Sequence, residues 1–226
     1  MKLLTCTLFI LLTFNLTAQE INKELKVRLD SIMLKDQSMR ELLDNRITEE
    51  RKNEILNILR LDGDEFYRNS WGFISEQDKK NIEEIREIIN EFGYPGKTLV
   101  GEPSNKSAWY VIQHSDYIEE YFPLIEKAGK ENELPITLVA MMEDRLLMNK
   151  GLEQKYGTQS KGFKIKNKET GGEEWFNFIW PIKDPDNVND LRKSIGFDKT
   201  IEEYSKKLNV EYKVYTLVEI NNLLKE

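Results

Sequence analysis

A mainly α fold carrying one β-hairpin is what this sequence predicts, and three observations lead there. Apolar residues recur at helical spacing through most of the chain, as in Leu25, Leu29 and Ile32, or Ile82, Ile85, Ile88 and Ile89. Capping residues and glycines punctuate those segments. Only the stretch near residues 157–182, "GTQSKGFKIKNKETGGEEWFNFIWPI", alternates or crowds aromatic residues around a Gly-Gly pair, which is the pattern of two strands and a turn.

Taken in order, residues 21–45 keep an apolar stripe (Leu25, Leu29, Ile32, Met33, Met39, Leu42, Leu43) interrupted by "KDQS", predicting one long helix or two in series. Thr48 is a cap for a second helix through residue 61, with Glu49 and Glu50 favourably placed in its first turn. "LDGDEF" reads as a turn. Ser75 with Asp78 resembles a capping pair for a helix that ends at Phe92, where Gly93 suits a left-handed cap. "GYPGKTLVGEPSNKS" is a loop. Helices over residues 106–114, 116–128 and 134–149 follow, then the hairpin, then short helices over 188–195 and 200–208. Residues 215–225 close the chain as an amphipathic helix or a late strand.

The first eighteen residues have the layout of a secretory signal: a positive Lys2, an apolar run over residues 3–16, and Leu16-Thr17-Ala18 before Gln19. Residues 1–18 are therefore expected to be removed, leaving 208 of the 226 as one mostly helical domain, 19–226, without a membrane span. Cys6, the only cysteine, leaves with the signal, so no disulfide or thiol chemistry remains. Export without disulfides fits a bacterial periplasm or outer surface. Loss of Lys2 takes the formal charge from −7 to −8, which gives no footprint for nucleic acid. His114 is the only histidine, which excludes the usual multi-histidine zinc sets. No cofactor and no metal are expected.

Three polar constellations stand out. "LVAMMEDRLLM" sets Glu143, Asp144 and Arg145 in the middle of an apolar helix; no rotation puts all three in water, so at least one is expected to be semi-buried and to need a partner. That partner is either an arginine such as Arg40 or Arg145 in a structural ion pair, or a functional site. "WYVIQHSDY" offers an amide, an imidazole and a carboxylate from Gln113, His114 and Asp116 within about one helical turn. "GLEQKYGTQ" brackets Gln154, Tyr156, Thr158 and Gln159 between Gly151 and Gly157, as a binding loop or as a turn into the hairpin.

The ordered set "DQSMR", "GYPG", "WYVIQHSD", "EDR", "GLEQKYGTQ" and "PIKDPDNVNDLR" resembles an uncharacterised bacterial family of unknown function, over residues 35–204. Members share a Gln-His-x-Asp segment, a later Asp-Arg pair and a Tyr-Gly-Thr-Gln loop in this order. The resemblance implies a place in that family and no mechanism; its shared positions fall on Gln113, His114, Asp116, Asp144, Arg145, Gln154, Tyr156, Gly157 and Gln159.

Two functions compete. The first is an exported envelope protein whose polar pocket binds a small polar ligand or an envelope component, through Gln113, Arg145, Gln154, Tyr156 and Gln159. The second is a hydrolase, with glycan as a substrate, using Glu143 or Asp144 as general acid and His114 or Asp116 as base. A weaker third idea is one divalent cation held by His114, Asp116 and Asp144.

Overall fold

The computed structural model describes residues 20–166 and 171–224, so the expected signal segment lies outside the described residues. Among them are eleven α-helices and one antiparallel hairpin, in agreement with the mainly α expectation. No described helix is long and apolar enough to cross a membrane.

Helix α1, Lys23–Glu41, is capped by the Asn22 side chain, which accepts from the Leu25 N–H. It runs unbroken through "KDQS" because Asp36 there accepts from Arg40 one turn on. Its buried stripe is Leu25, Leu29, Ile32, Asp36 and Met39, so an aspartate takes a core position. Thr48 caps α2, Glu49–Leu59, as its sequence suggests.

The "LDGDEF" segment departs from expectation. It is helical, α3 over Gly63–Arg68, because the Asp62 side chain caps the Glu65 N–H and Phe66 is driven into the core. Helix α4 then starts at once, Ser70–Phe92, so Ser75 and Asp78 lie on its flank and cap nothing. Gly93 has the expected positive φ of 72°, with an extended ψ of −158° in place of a helical one. The following loop holds a short helix, α5 (Lys97–Val100), and a 3-10 turn, Ser104–Lys106.

Helices α6 (Ser107–Ile112), α7 (Ile118–Lys130) and α8 (Ile136–Asn149) complete the bundle. Its main core joins Leu29 and Ile32 of α1, Ile85 and Ile88 of α4, Ile112 of α6, Ile125 of α7 and Met142 of α8. A second cluster around Phe66 and Ile55 packs α2 and α3 against the ends of α1 and α4. Because α6 stops at Ile112, Gln113 to Asp116 form a turn and not a continuing helical face.

The hairpin pairs β1, Ser160–Lys166, with β2, Glu173–Ile179, in register from Ser160↔Ile179 to Lys166↔Glu173. Phe163, Phe176 and Phe178 make an aromatic layer under Tyr215. Short helices α9 (Val188–Ser194) and α10 (Ile201–Lys207) pack Val188 and Ile201 on Ile179 and Ile182. The closing segment is a helix, α11 (Leu217–Leu223), fixed by a capping box between Thr216 and Glu219.

Candidate functional site

The charges at the centre of α8 serve two different neighbours. Asp144 is fully buried, and its carboxylate accepts from the N–H groups of Lys155 (2.7 Å), Tyr156 (3.1 Å) and Thr158 (3.0 Å) and from the Thr158 hydroxyl (2.9 Å). Burial raises its pKa, and these four donors work in the opposite sense. The expected arginine partner is absent: Asp144 holds loop amides. Glu143 is half-buried and pairs with the Lys155 ammonium at 2.5 Å.

The rest of the Gly151–Gln159 segment is locked in the same way. The buried Gln154 donates Nε2 to the carbonyls of Gln159 (3.0 Å) and Trp180 (2.6 Å), and accepts from the Gln159 N–H (2.8 Å). Gln159 donates Nε2 to the Met141 carbonyl and the Thr158 hydroxyl. Gly157 has φ +70°, and a Cβ there would sit 2.5 Å from Ile201 Cδ1, so only glycine fits. The buried Arg192 caps the loop from outside, giving Nη1 to the Tyr156 carbonyl (2.7 Å) and Nε to that of Lys199 (2.9 Å). Its guanidinium lies over Phe197 and Tyr204, and Tyr204 donates its hydroxyl to the Thr158 carbonyl. Burial lowers the Arg192 pKa, while Tyr204 and Asp144 push it back up. Of the loop's side chains, the half-buried Tyr156 ring leans on Phe197 and its hydroxyl has no hydrogen-bond partner among the described residues.

Arg145 points the other way. Its Nη1 reaches the Gln113 carbonyl at 3.4 Å, and it forms no ion pair among the described residues. Burial lowers its pKa. It thereby backs the turn carrying His114, whose pKa is depressed to about 3 by partial burial, then by Arg40 and Arg145. The His114 residue itself is exposed, so the neutral imidazole remains reachable.

His114 and Asp116 open onto a cleft of about 890 Å³ between α1, α4 and the α6–α7 turn. Its floor is apolar, from Ile74, Ile82 and Val111, and Trp71 stands at its edge, 74 % exposed. On its wall Arg40 grips Asp78 with one Nη (2.8 and 2.9 Å) and Asp36 with the other (3.1 Å). Asp36 is buried, and its pKa rises to about 6: burial raises it, Arg40 and Gln37 lower it, Asp78 raises it and Asn81 lowers it.

The expected single site is thus divided. His114 and Asp116 line the cleft; Asp144, Gln154 and Gln159 are sealed in the loop clamp, and Arg145 and Gln113 join the two from behind. His114, Asp116 and Asp144 form no cation site, since no group of three or more His, Cys, Asp or Glu suited to a metal occurs among the described residues. Sequence reasoning missed Asp36, Asp78 and Trp71. The signal for Asp36 was present: it continues the stripe from Leu25 through Ile32 at i+4, and has an arginine four residues on.

Two predictions follow from this geometry. Asp144→Ala strands four donors, two of them buried and two partly so, and is expected to lower stability by roughly 4 kcal/mol, since each unpaired buried donor costs about 1–3 kcal/mol. Urea unfolding measures the loss, and fast hydrogen exchange confined to the amides of residues 155–158 locates it. The second concerns pH. A raised aspartate pKa means the fold binds the Asp36 proton more tightly than the unfolded chain. Wild type should therefore lose stability relative to Asp36→Asn as pH rises from about 4 to about 6, by about 3 kcal/mol for a two-unit shift. His114 has the opposite sign: relative to His114→Gln, wild type should lose stability as pH falls from about 6.5 towards 3. Urea midpoints between pH 4 and 7.5 that keep constant differences would refute both assignments.

A family model described as a family of unknown function (DUF6624) matches residues 64–216. The match begins after α2 and extends past α10, so it starts later and ends later than the resemblance over 35–204, and Asp36 and Arg40 lie before it. No curated protein and no solved structure matches the chain. With more than half of its length covered by that model, the chain belongs to DUF6624.

Proposed function

We propose that this is an exported binding protein for a small polar ligand, with the cleft between α1, α4 and the α6–α7 turn as its site. The observation that carries the reading is the combination of an apolar floor with polar side chains left without partners. His114 and Asp116 face the cleft, and their side chains form no hydrogen bond or ion pair among the described residues. The volume lies within the range of about 300–1,000 Å³ usual for small-molecule sites. The Arg40–Asp78 pair fixes one wall in advance of binding, which lowers the ordering cost.

The hydrolase reading finds less support. A general acid must reach substrate, and Asp144 is 0 % exposed beneath four donors. A general base works best near the operating pH, and His114 is held near 3. Glu143 is engaged by Lys155.

Binding can be tested through a cysteine placed in the cleft, since Cys6 is the only natural one. In Ser75→Cys, maleimide labelling should slow when a low-molecular-weight fraction of cell-envelope extract is added. His114→Ala or Asp116→Asn in the same background should remove that protection. Labelling at an unchanged rate with every fraction would sink the reading. Export is tested separately: N-terminal sequencing of the protein from the producing cell's envelope should begin at Gln19, and a start at Met1 in the cytoplasmic fraction would overturn it.

A further inference from the structure

We propose that the occupant of this cleft is an uncharged saccharide unit, stacked on Trp71 and hydrogen-bonded by His114, Asp116, Ser75 and the lone pairs that Asp78 keeps beyond its pair with Arg40. This deepens the binding reading above and rests on it. The argument begins with charge. An anionic ligand needs a cation with free donors: both Nη groups of Arg40 are committed, to Asp36 and to both oxygens of Asp78, which leaves Lys79 alone, on a cleft that also carries the unpaired Asp116. A cationic ligand needs a carboxylate without a competing cation: Asp78 is held by Arg40 and Glu83 has Arg86 at 3.6 Å, which leaves Asp116 alone, on a cleft that also carries the unpaired Lys79. The cleft charges without an ion pair among the described residues are one of each sign, Lys79 and Asp116. Taken together the wall presents nearly balanced charge, and no lone buried ion that a ligand must neutralise.

What remains is a set of mixed donors and acceptors. The neutral imidazole of His114 has one of each, Asp116 accepts, and the Ser75 hydroxyl does both. Asp78, clasped by Arg40, keeps lone pairs that accept from a sugar hydroxyl. Sugars also carry a face of C–H groups, which suits an aromatic plane. Trp71 offers one: it is 74 % exposed at the cleft edge, whereas Trp109 and Trp180 are 2 % and 5 % exposed in the core. The apolar floor of Ile74, Ile82 and Val111 takes the remaining non-polar surface of the ring.

The test titrates the purified chain with chitohexaose, cellohexaose and maltohexaose, with spermidine and citrate as charged comparators, by calorimetry and tryptophan fluorescence. At least one hexasaccharide should bind and shift the emission to shorter wavelength, and Trp71→Ala should abolish the shift. Trp71→Ala and Asp116→Asn should each weaken binding by roughly tenfold, the scale of one stacking contact. If spermidine or citrate moves the Trp71 emission and no hexasaccharide does, the saccharide assignment is overturned while the cleft still binds. If no probe acts but envelope extract protects Ser75→Cys, the saccharide assignment alone fails. If neither occurs, the assignment and the binding reading fail together.

Discussion

The fold of the C-terminal half hangs on one buried carboxylate. Asp144 projects from α8 into the loop that leads to the hairpin, and there it satisfies three backbone N–H groups and a hydroxyl, the two groups of Thr158 being buried. A loop turning this tightly cannot pair those amides with one another, so a side-chain acceptor has to be brought in. Desolvating the carboxylate is costly, and charge-assisted hydrogen bonds offset that cost. Arg192 adds to the balance from the far side of the loop, bonding its Tyr156 carbonyl and the Lys199 carbonyl beyond it while sensing the Asp144 charge. Gln154 then ties the same loop to the Trp180 carbonyl at the end of β2, and Gln159 ties it to the Met141 carbonyl of α8.

Next along α8, Arg145 extends this fixed element towards the cleft. One residue further around the helix, it leaves the clamp and supports the carbonyl of Gln113 at the head of the turn bearing His114. Partial burial first, and then its charge with that of Arg40, disfavours the protonated imidazole. The adjacent pair Asp144–Arg145 therefore couples the rigidity of the loop clamp to the electrostatic setting of the cleft.

Periodicity revealed nearly every helix, because the stripes on α1, α4 and α8 are set by burial against one core, and burial leaves its mark residue by residue. The α3–α4 region was misread for a local reason. Gly63 and the aspartates around it look like turn residues, while Asp62 uses the same chemistry to cap a helix. The constellation at Glu143 to Arg145 was legible as a burial problem, and at least one charge is indeed buried. Its solution was not legible. Backbone amides of residues 155–158 carry no sequence signature, so the search for a charged partner looked for an arginine that the fold does not supply. The cleft wall was hidden differently: Arg40 and Asp78 lie 38 residues apart and meet only once α1 packs on α4. Gln154 and Gln159 looked like binding amides since nothing local distinguishes an amide saved for a ligand from one spent on a carbonyl.

That distinction decides how the polar residues divide. A side chain spent on structure has its donors and acceptors filled within the protein, as in Asp144, Gln154 and Arg192. His114 and Asp116, at the cleft, are positioned with no such partner among the described residues. Arg40 belongs to neither group. It sits at the cleft, fully engaged, and what it contributes is a fixed geometry backed by Asp36 from within the core. Asp36 has a pKa of about 6, so proton uptake there alters the partner of Arg40 and, through it, the hold on Asp78. The cleft wall is thus backed, through Arg40, by a buried carboxyl that does not itself line the cleft.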